Sequence, residues 1–137
     1  MKRNSGGFTL LEIMIVVSII AVLLSLAIYK LKGNLETSKA VAVQADTRAI
    51  STQLKLYESL NGFMPTTEQG LQALVRQPSS DPQPTRWTQL FDSIPQDPWH
   101  NNYIYFNPGR KNPNGYDLYS AGPDRRPDTA DDDWGGN

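Results

Sequence analysis

Two sets of carboxylates carry most of the chemistry that this chain of 137 residues can offer. The first is a single residue. Glu12 lies inside an otherwise apolar run from Phe8 to Tyr29. In a membrane span such a charge costs several kcal/mol unless it is paired or sits at the interface. The partner the sequence offers is an α-amino group. A cut between Gly7 and Phe8 would create a cationic N-terminus four residues from Glu12. That is one helical turn within a chain, and an assembly could equally pair the amine of one copy with Glu12 of another. A buried pair of this kind fixes the axial register of identical chains.

The second set is Asp124, Asp128, Asp131, Asp132 and Asp133, interrupted by Arg125, Arg126 and Pro127. A hard cation such as calcium takes about six to eight oxygen ligands, mixing carboxylates with backbone carbonyls. A loop that returns Asp131 and Asp132 beside Asp124 supplies such oxygens, and binding energy then becomes folding energy. The spacing is not that of an EF-hand, because D-x-D-x-D-G and the closing Glu are absent. A solvated acidic tail, partly neutralised by Arg125 and Arg126, fits the same composition. Catalytic groups are scarce. There is no cysteine, and His100 is the sole histidine, in a Trp-His-Asn-Asn loop. Thr9 and Ser18 read as residues that bond their own helix backbone. The chain reads as a structural protein and not as an enzyme.

These residues need particular elements to hold them. At about 1.5 Å per residue, Phe8 to Tyr29 reaches roughly 33 Å, enough for a ~30 Å hydrocarbon core. Lys2 and Arg3 precede the run and keep that end cytoplasmic. A cleavable secretory signal is the alternative, with Ser25-Leu26-Ala27 as its cleavage site. The run exceeds the ~7–15 apolar residues of a signal core, however, and a carboxylate suits such a core poorly. From Leu35 to Leu60 the pattern is amphipathic. Ala42, Ala49, Leu56 and Leu60 form one stripe, with Val43, Ile50, Leu54 and Tyr57 beside it. Asn61-Gly62 is a stop. One long helix is predicted, its first half in lipid and its second half on a globular domain, with Gly33-Asn34 as a soft point.

Beyond it, Thr66 to Val75 reads as a short helix with a Thr66/Gln69 capping box. Pro78 to Thr85 is a loop, and Trp87, Leu90, Phe91 and Ile94 anchor the next segment. Asn102–Phe106 and Tyr116–Ser120 alternate like the strands of a hairpin. The fold class is α+β. The formal net charge of −1 gives nucleic acid no purchase.

The run Lys-Arg-Asn-Ser-Gly-Gly7-Phe8-Thr-Leu-Leu-Glu12 resembles the processing site of type IV pilins and of the pseudopilins of type II secretion. Later motifs resemble the major pseudopilins more than the adhesion pilins. They are Thr66-Thr-Glu-Gln-Gly-Leu-Gln-Ala-Leu, Asp97-Pro-Trp99, Tyr103/Tyr105 and Asp117-Leu-Tyr-Ser-Ala-Gly-Pro-Asp124. Type IV pilins often close this region with a disulfide, which this chain cannot form.

The resemblance implies a type IV pilin-like fold: a long N-terminal helix on a small antiparallel sheet, with a C-terminal metal-binding loop. It divides the chain into a leader, 1–7, a transmembrane and filament-core helix, 8–29, and a periplasmic domain, 30–137. It implies a prepilin peptidase that cuts after Gly7 and methylates Phe8. It implies membrane lipid around the helix before assembly, with the N-terminus cytoplasmic at the inner membrane. Homo-oligomerisation into a helical pseudopilus would follow, with minor pseudopilins, an inner-membrane platform and an ATPase as partners. The filament would promote export of folded proteins across the outer membrane. The alternatives are an adhesion or motility pilin, or a secreted calcium-binding domain.

For calcium the resemblance implies Asp124, Asp131 and Asp132, with the carbonyls of Ala121 and Thr129. Asp133 stands where the family often has Ile, and Arg125 to Asp128 where it is often richer in glycine. Tyr29 replaces the family's usual proline. It keeps its N–H, so it does not break the helix.

Overall fold

The computed structural model describes residues 9–136. Its main element is α1 (Leu10–Asn61), a helix of 52 residues. Thr9 begins it: the Thr9 hydroxyl accepts the Glu12 N–H at 3.2 Å, and its carbonyl accepts the Ile13 N–H. Such a cap satisfies donors that have no partner within the helix. Helical backbone continues through Tyr29, Gly33 and Asn34. The end is as predicted. Gly62 adopts φ 82°, its N–H bonds the Glu58 carbonyl, and the Asn61 side chain bonds the Tyr57 carbonyl.

The chain divides into two compact units within α1, after Ser38. In the first, every side chain from Thr9 to Leu31 is exposed although most are apolar. The hydroxyls of Ser18 and Ser25 bond the Met14 and Val22 carbonyls, so these two polar groups are satisfied within the helix.

The second unit begins at Lys39 and has a core of its own. From α1 it buries Val43, Thr47, Ile50, Leu54 and Tyr57. Of the two predicted rows, one has Ala49 and Leu56 exposed, whereas the other, Val43, Ile50, Leu54 and Tyr57, is the one that packs. Opposite it lie Leu71, Ala73 and Leu74 from a 3-10 helix (Leu71–Leu74), and Tyr103, Tyr105 and Leu118 from the sheet. Thr47 is tolerated there because its hydroxyl bonds the Val43 carbonyl at 2.8 Å.

The Thr66/Gln69 capping box forms reciprocally, with both bonds at 3.2 Å. It opens a turn and not the predicted helix, because Gly70 takes φ 57° before the 3-10 helix. Gln69 then serves the next loop, donating to the Ser80 and Pro82 carbonyls. The Trp87 indole bonds the Ala73 carbonyl, and the Leu90 and Phe91 amides bond that of Leu74. These bonds tie down the predicted anchor segment.

The hairpin is antiparallel: β1 (Ile104–Phe106) pairs with β2 (Asp117–Tyr119), with Tyr105 opposite Leu118. All three β2 residues are buried. Leu118 joins the core. On the other face Asp117 accepts the amides of Arg110, Lys111 and Asn112, and Tyr119 stacks on Trp134 with ring centroids 4.3 Å apart. Asp117 is therefore a strand residue that shapes the hairpin loop.

Candidate functional site

The acidic loop is closed by main-chain pairing. The Ser120 N–H bonds the Asp133 carbonyl at 2.9 Å and the Asp133 N–H bonds the Ser120 carbonyl at 3.0 Å. Everything from Ala121 to Asp132 is held between these two residues. After Asp133 the chain returns to α1, where Gly135 lies so close to Thr47 that a Cβ would overlap its side chain.

Within the loop the aspartates act first as acceptors for loop donors. Asp131 accepts the Asp124 N–H on one oxygen and the Thr129 hydroxyl, at 2.7 Å, on the other. Asp124 accepts the Arg126 N–H, and Asp132 accepts the Asp128 N–H at 2.9 Å. The Thr129 bond, followed by the Asp124 amide, holds the Asp131 carboxyl below the usual carboxylate range. Asp124 is exposed, Asp131, Asp132 and Thr129 are half-buried, and Ala121 is buried. Asp133 turns its carboxylate to the Gly135 N–H. Asp128 reaches outward to Arg110 at 3.3 Å, an exposed pair that contributes little.

Asp124 and Asp131 are thus brought together directly, while Asp132 is tied to Asp128. Among the described residues, no three His, Cys, Asp or Glu side chains group closely enough to hold a metal ion. The donor set still suits a hard cation, since every candidate ligand is an oxygen. One observation points further. Asp132 Oδ1 is buried and has no hydrogen-bond partner, a state that buried polar atoms rarely occupy.

Arg125 and Asp128 have φ of 61° and 67°. Positive φ favours glycine and is otherwise reached most easily by Asn or Asp. That accounts physically for the glycine expected at such positions.

Two features escaped the sequence reading. Trp134 is sandwiched between Tyr119 and the Lys111 ammonium, which lies 3.8 Å from its ring centre. Asp97, only 2% exposed, joins the 97–101 turn to the strand end through Ser120 and Asn101. Asp97-Pro-Trp99 was visible as a motif, but only the fold supplies its partners. Elsewhere in the core, burial, then the 2.8 Å bond to Asp46, raises the Tyr103 phenol.

Glu12 lies exposed in the first turn of α1, its backbone N–H bound by Thr9. Gly7 and Phe8, the predicted cleavage and methylation positions, lie outside the described residues. α1 is long and apolar enough to cross a membrane.

Comparison with known proteins bears on both ends. The family described as "Type II secretion system (T2SS), protein G" matches residues 30–135, and the prokaryotic N-terminal methylation motif matches residues 2–28. Type II secretion system core protein G of Dickeya chrysanthemi is 44% identical over 134 residues, covering 96% of this chain and 86% of that protein. The Pseudomonas aeruginosa protein of the same name is 39% identical over 134 residues, covering 96% and 93%. The crystal structure of the major pseudopilin from the type 2 secretion system of enterohaemorrhagic Escherichia coli matches with a TM-score of 0.68 and 39% identity. The match covers 74% of this chain and 90% of that one.

Proposed function

This chain belongs to the type II secretion system protein G family, and from that premise we propose that it is a structural subunit of the pseudopilus. It acts by assembly and not by catalysis. The observation that carries this is the exposed apolar surface of α1 between Thr9 and Leu31. A continuous apolar surface of that length must be covered by lipid or by further copies of itself. Identical helices laid head to tail make heterologous contacts, and these propagate as a helical filament.

The methylation motif implies processing by a prepilin peptidase. The cut falls between Gly7 and Phe8, and the Phe8 amine is methylated. That ammonium then faces Glu12 of an adjacent subunit. The pair contributes register more than stability, because desolvating two charges offsets much of their attraction. Before assembly the helix lies in inner-membrane lipid with its N-terminus cytoplasmic and the folded domain periplasmic. A platform and an ATPase add subunits from below, minor pseudopilins cap the tip, and growth promotes export of folded proteins across the outer membrane.

The C-terminal loop holds calcium through Asp124, Asp131 and Asp132 and the carbonyls of Ala121 and Thr129. The oxygen-only donor set and the unpartnered Asp132 Oδ1 support this. A bound divalent cation neutralises the crowded aspartates and cross-links the loop. Asp133 is left out of the set because it closes the loop: its main chain pairs with Ser120 and its carboxylate accepts the Gly135 N–H beyond the loop.

Glu12→Ala tests the assembly reading. The variant is expected to insert and fold normally but to give few filaments, and a normal yield would defeat the register argument. For the loop, a chelator should lower the melting temperature. Melting that ignores calcium would remove the metal from the account.

A further inference from the structure

The Asp97-Pro98-Trp99 motif is not used by the assembly reading above, yet it holds one of the most buried carboxylates among the described residues. Asp97 Oδ1 accepts the N–H groups of Trp99, at 3.0 Å, and Asn101, at 2.7 Å. Oδ2 accepts the Asn101 side-chain amide at 3.2 Å and the Ser120 hydroxyl at 2.5 Å. Four donors on one buried carboxylate make a stiff junction, because bonds to an ionised acceptor are short and strong.

Both side chains that bind Asp97 continue to the same residue. Ser120 Oγ accepts the Gly122 N–H at 3.0 Å, and Asn101 Nδ2 donates to the Gly122 carbonyl at 3.3 Å. Gly122 is therefore gripped at both of its polar backbone atoms. It has φ 66°, and a Cβ there would overlap the Asp131 carbonyl and lie 2.9 Å from the Asp131 carboxylate. The peptide joining Ala121 to Gly122 is planar and trans, so its C=O points opposite to its N–H. Anchoring the Gly122 N–H on Ser120 thus fixes the direction of the Ala121 carbonyl, and the bare Cα of Gly122 fixes the seat of Asp131.

We propose that Asp97, acting through Ser120 and Asn101, is a positioning residue for the cation loop: it orients the Ala121 carbonyl and seats Asp131 before a divalent cation arrives. This rests on the calcium reading of the loop. A purely structural tie between two loops would look similar in the fold, but it would leave cation affinity alone.

The experiment uses the full-length chain in detergent micelles, titrated calorimetrically with calcium and melted in calcium and in chelator. Ser120→Ala and Asn101→Ala should each weaken calcium binding about 10–100-fold, the usual effect of removing a group that orients metal ligands. Ala73→Gly, a core change away from the loop, should lower the melting temperature while changing the dissociation constant by less than about twofold. Asn101 is half-buried, so its variant decides the matter even if Ser120→Ala fails to fold. Wild-type affinity in Asn101→Ala, with the same loss of melting temperature in calcium and in chelator, overturns the positioning role alone. A wild-type chain that binds no calcium overturns the cation reading itself.

Discussion

Asp117→Asn isolates the hairpin loop from the cation loop. Asp117 is 3% exposed, and its carboxylate accepts the amides of Arg110 at 2.6 Å, Lys111 at 2.8 Å and Asn112 at 3.1 Å. Gly109 passes so close that a Cβ would lie 2.6 Å from the carboxylate. Asparagine keeps the shape, but its NH2 must face at least one of the three donors, and the remaining bonds lose their charge. A hydrogen bond to a charged group contributes about 1.5–3 kcal/mol, and a buried donor left without an acceptor costs a further ~1–3 kcal/mol. The exposed loop regains some of this by solvation, so a net loss of about 2–4 kcal/mol is expected. For a domain of this size that lowers the melting temperature by roughly 10–25 °C. Thermal melting followed by circular dichroism, in calcium and in chelator, reads it. The drop should be equal in both, because Asp117 is a strand residue and not a ligand. A shift below about 3 °C, or one seen only in calcium, would refute the assignment.

Arg125→Gly should stabilise the domain. Positive φ costs a non-glycine residue ~1–2 kcal/mol, and the added freedom of the unfolded glycine returns part of that, leaving about 0.5–1 kcal/mol by denaturant titration. A loss instead would mean that the Arg125 side chain contributes more than its backbone costs. Gly135→Ala should destabilise by about 2–4 kcal/mol, from φ 64° and overlap with Thr47. A Thr47→Ala background should recover part of the loss, whereas strict additivity would deny that contact. Burial above all raises the phenols of Tyr57, Tyr103, Tyr105 and Tyr119 from their ordinary 10.0. Folding therefore favours the protonated phenols, so their contribution is complete below pH 10 and is lost as pH climbs through the raised values. The melting temperature should fall above that point in step with tyrosinate absorbance. Tyrosinate forming at an ordinary pH while the fold persists would contradict the burial.

What the sequence made legible was local. The apolar run and the amphipathic pattern after it predicted one helix, and Asn61-Gly62 ended it where the αL turn forms. Thr66 and Gln69 announced their capping box, although it opens only a turn that ends at Gly70, a backbone choice the side chains do not reveal. On α1 two apolar rows run side by side, and both were legible. Which row packs is decided by the partners, Leu74, Tyr103 and Leu118, far away in sequence. Thr47 was hidden for a related reason: its burial answers to Gly135, at the opposite end of the domain. The aspartates of the loop were readable as an oxygen-rich set. The junction at Asp97, Ser120 and Gly122 was not, because no local pattern joins residues 23 apart in sequence.

The N-terminus of the chain in working assemblies is the most direct test of the whole account. Mass spectrometry of purified filaments should find a subunit that begins at Phe8 and carries a methyl group on its amine. Only then does an ammonium exist to meet Glu12 in the apolar core. A subunit that begins at Met1 in functional filaments, or at Ile28 as a freely secreted domain, would contradict it.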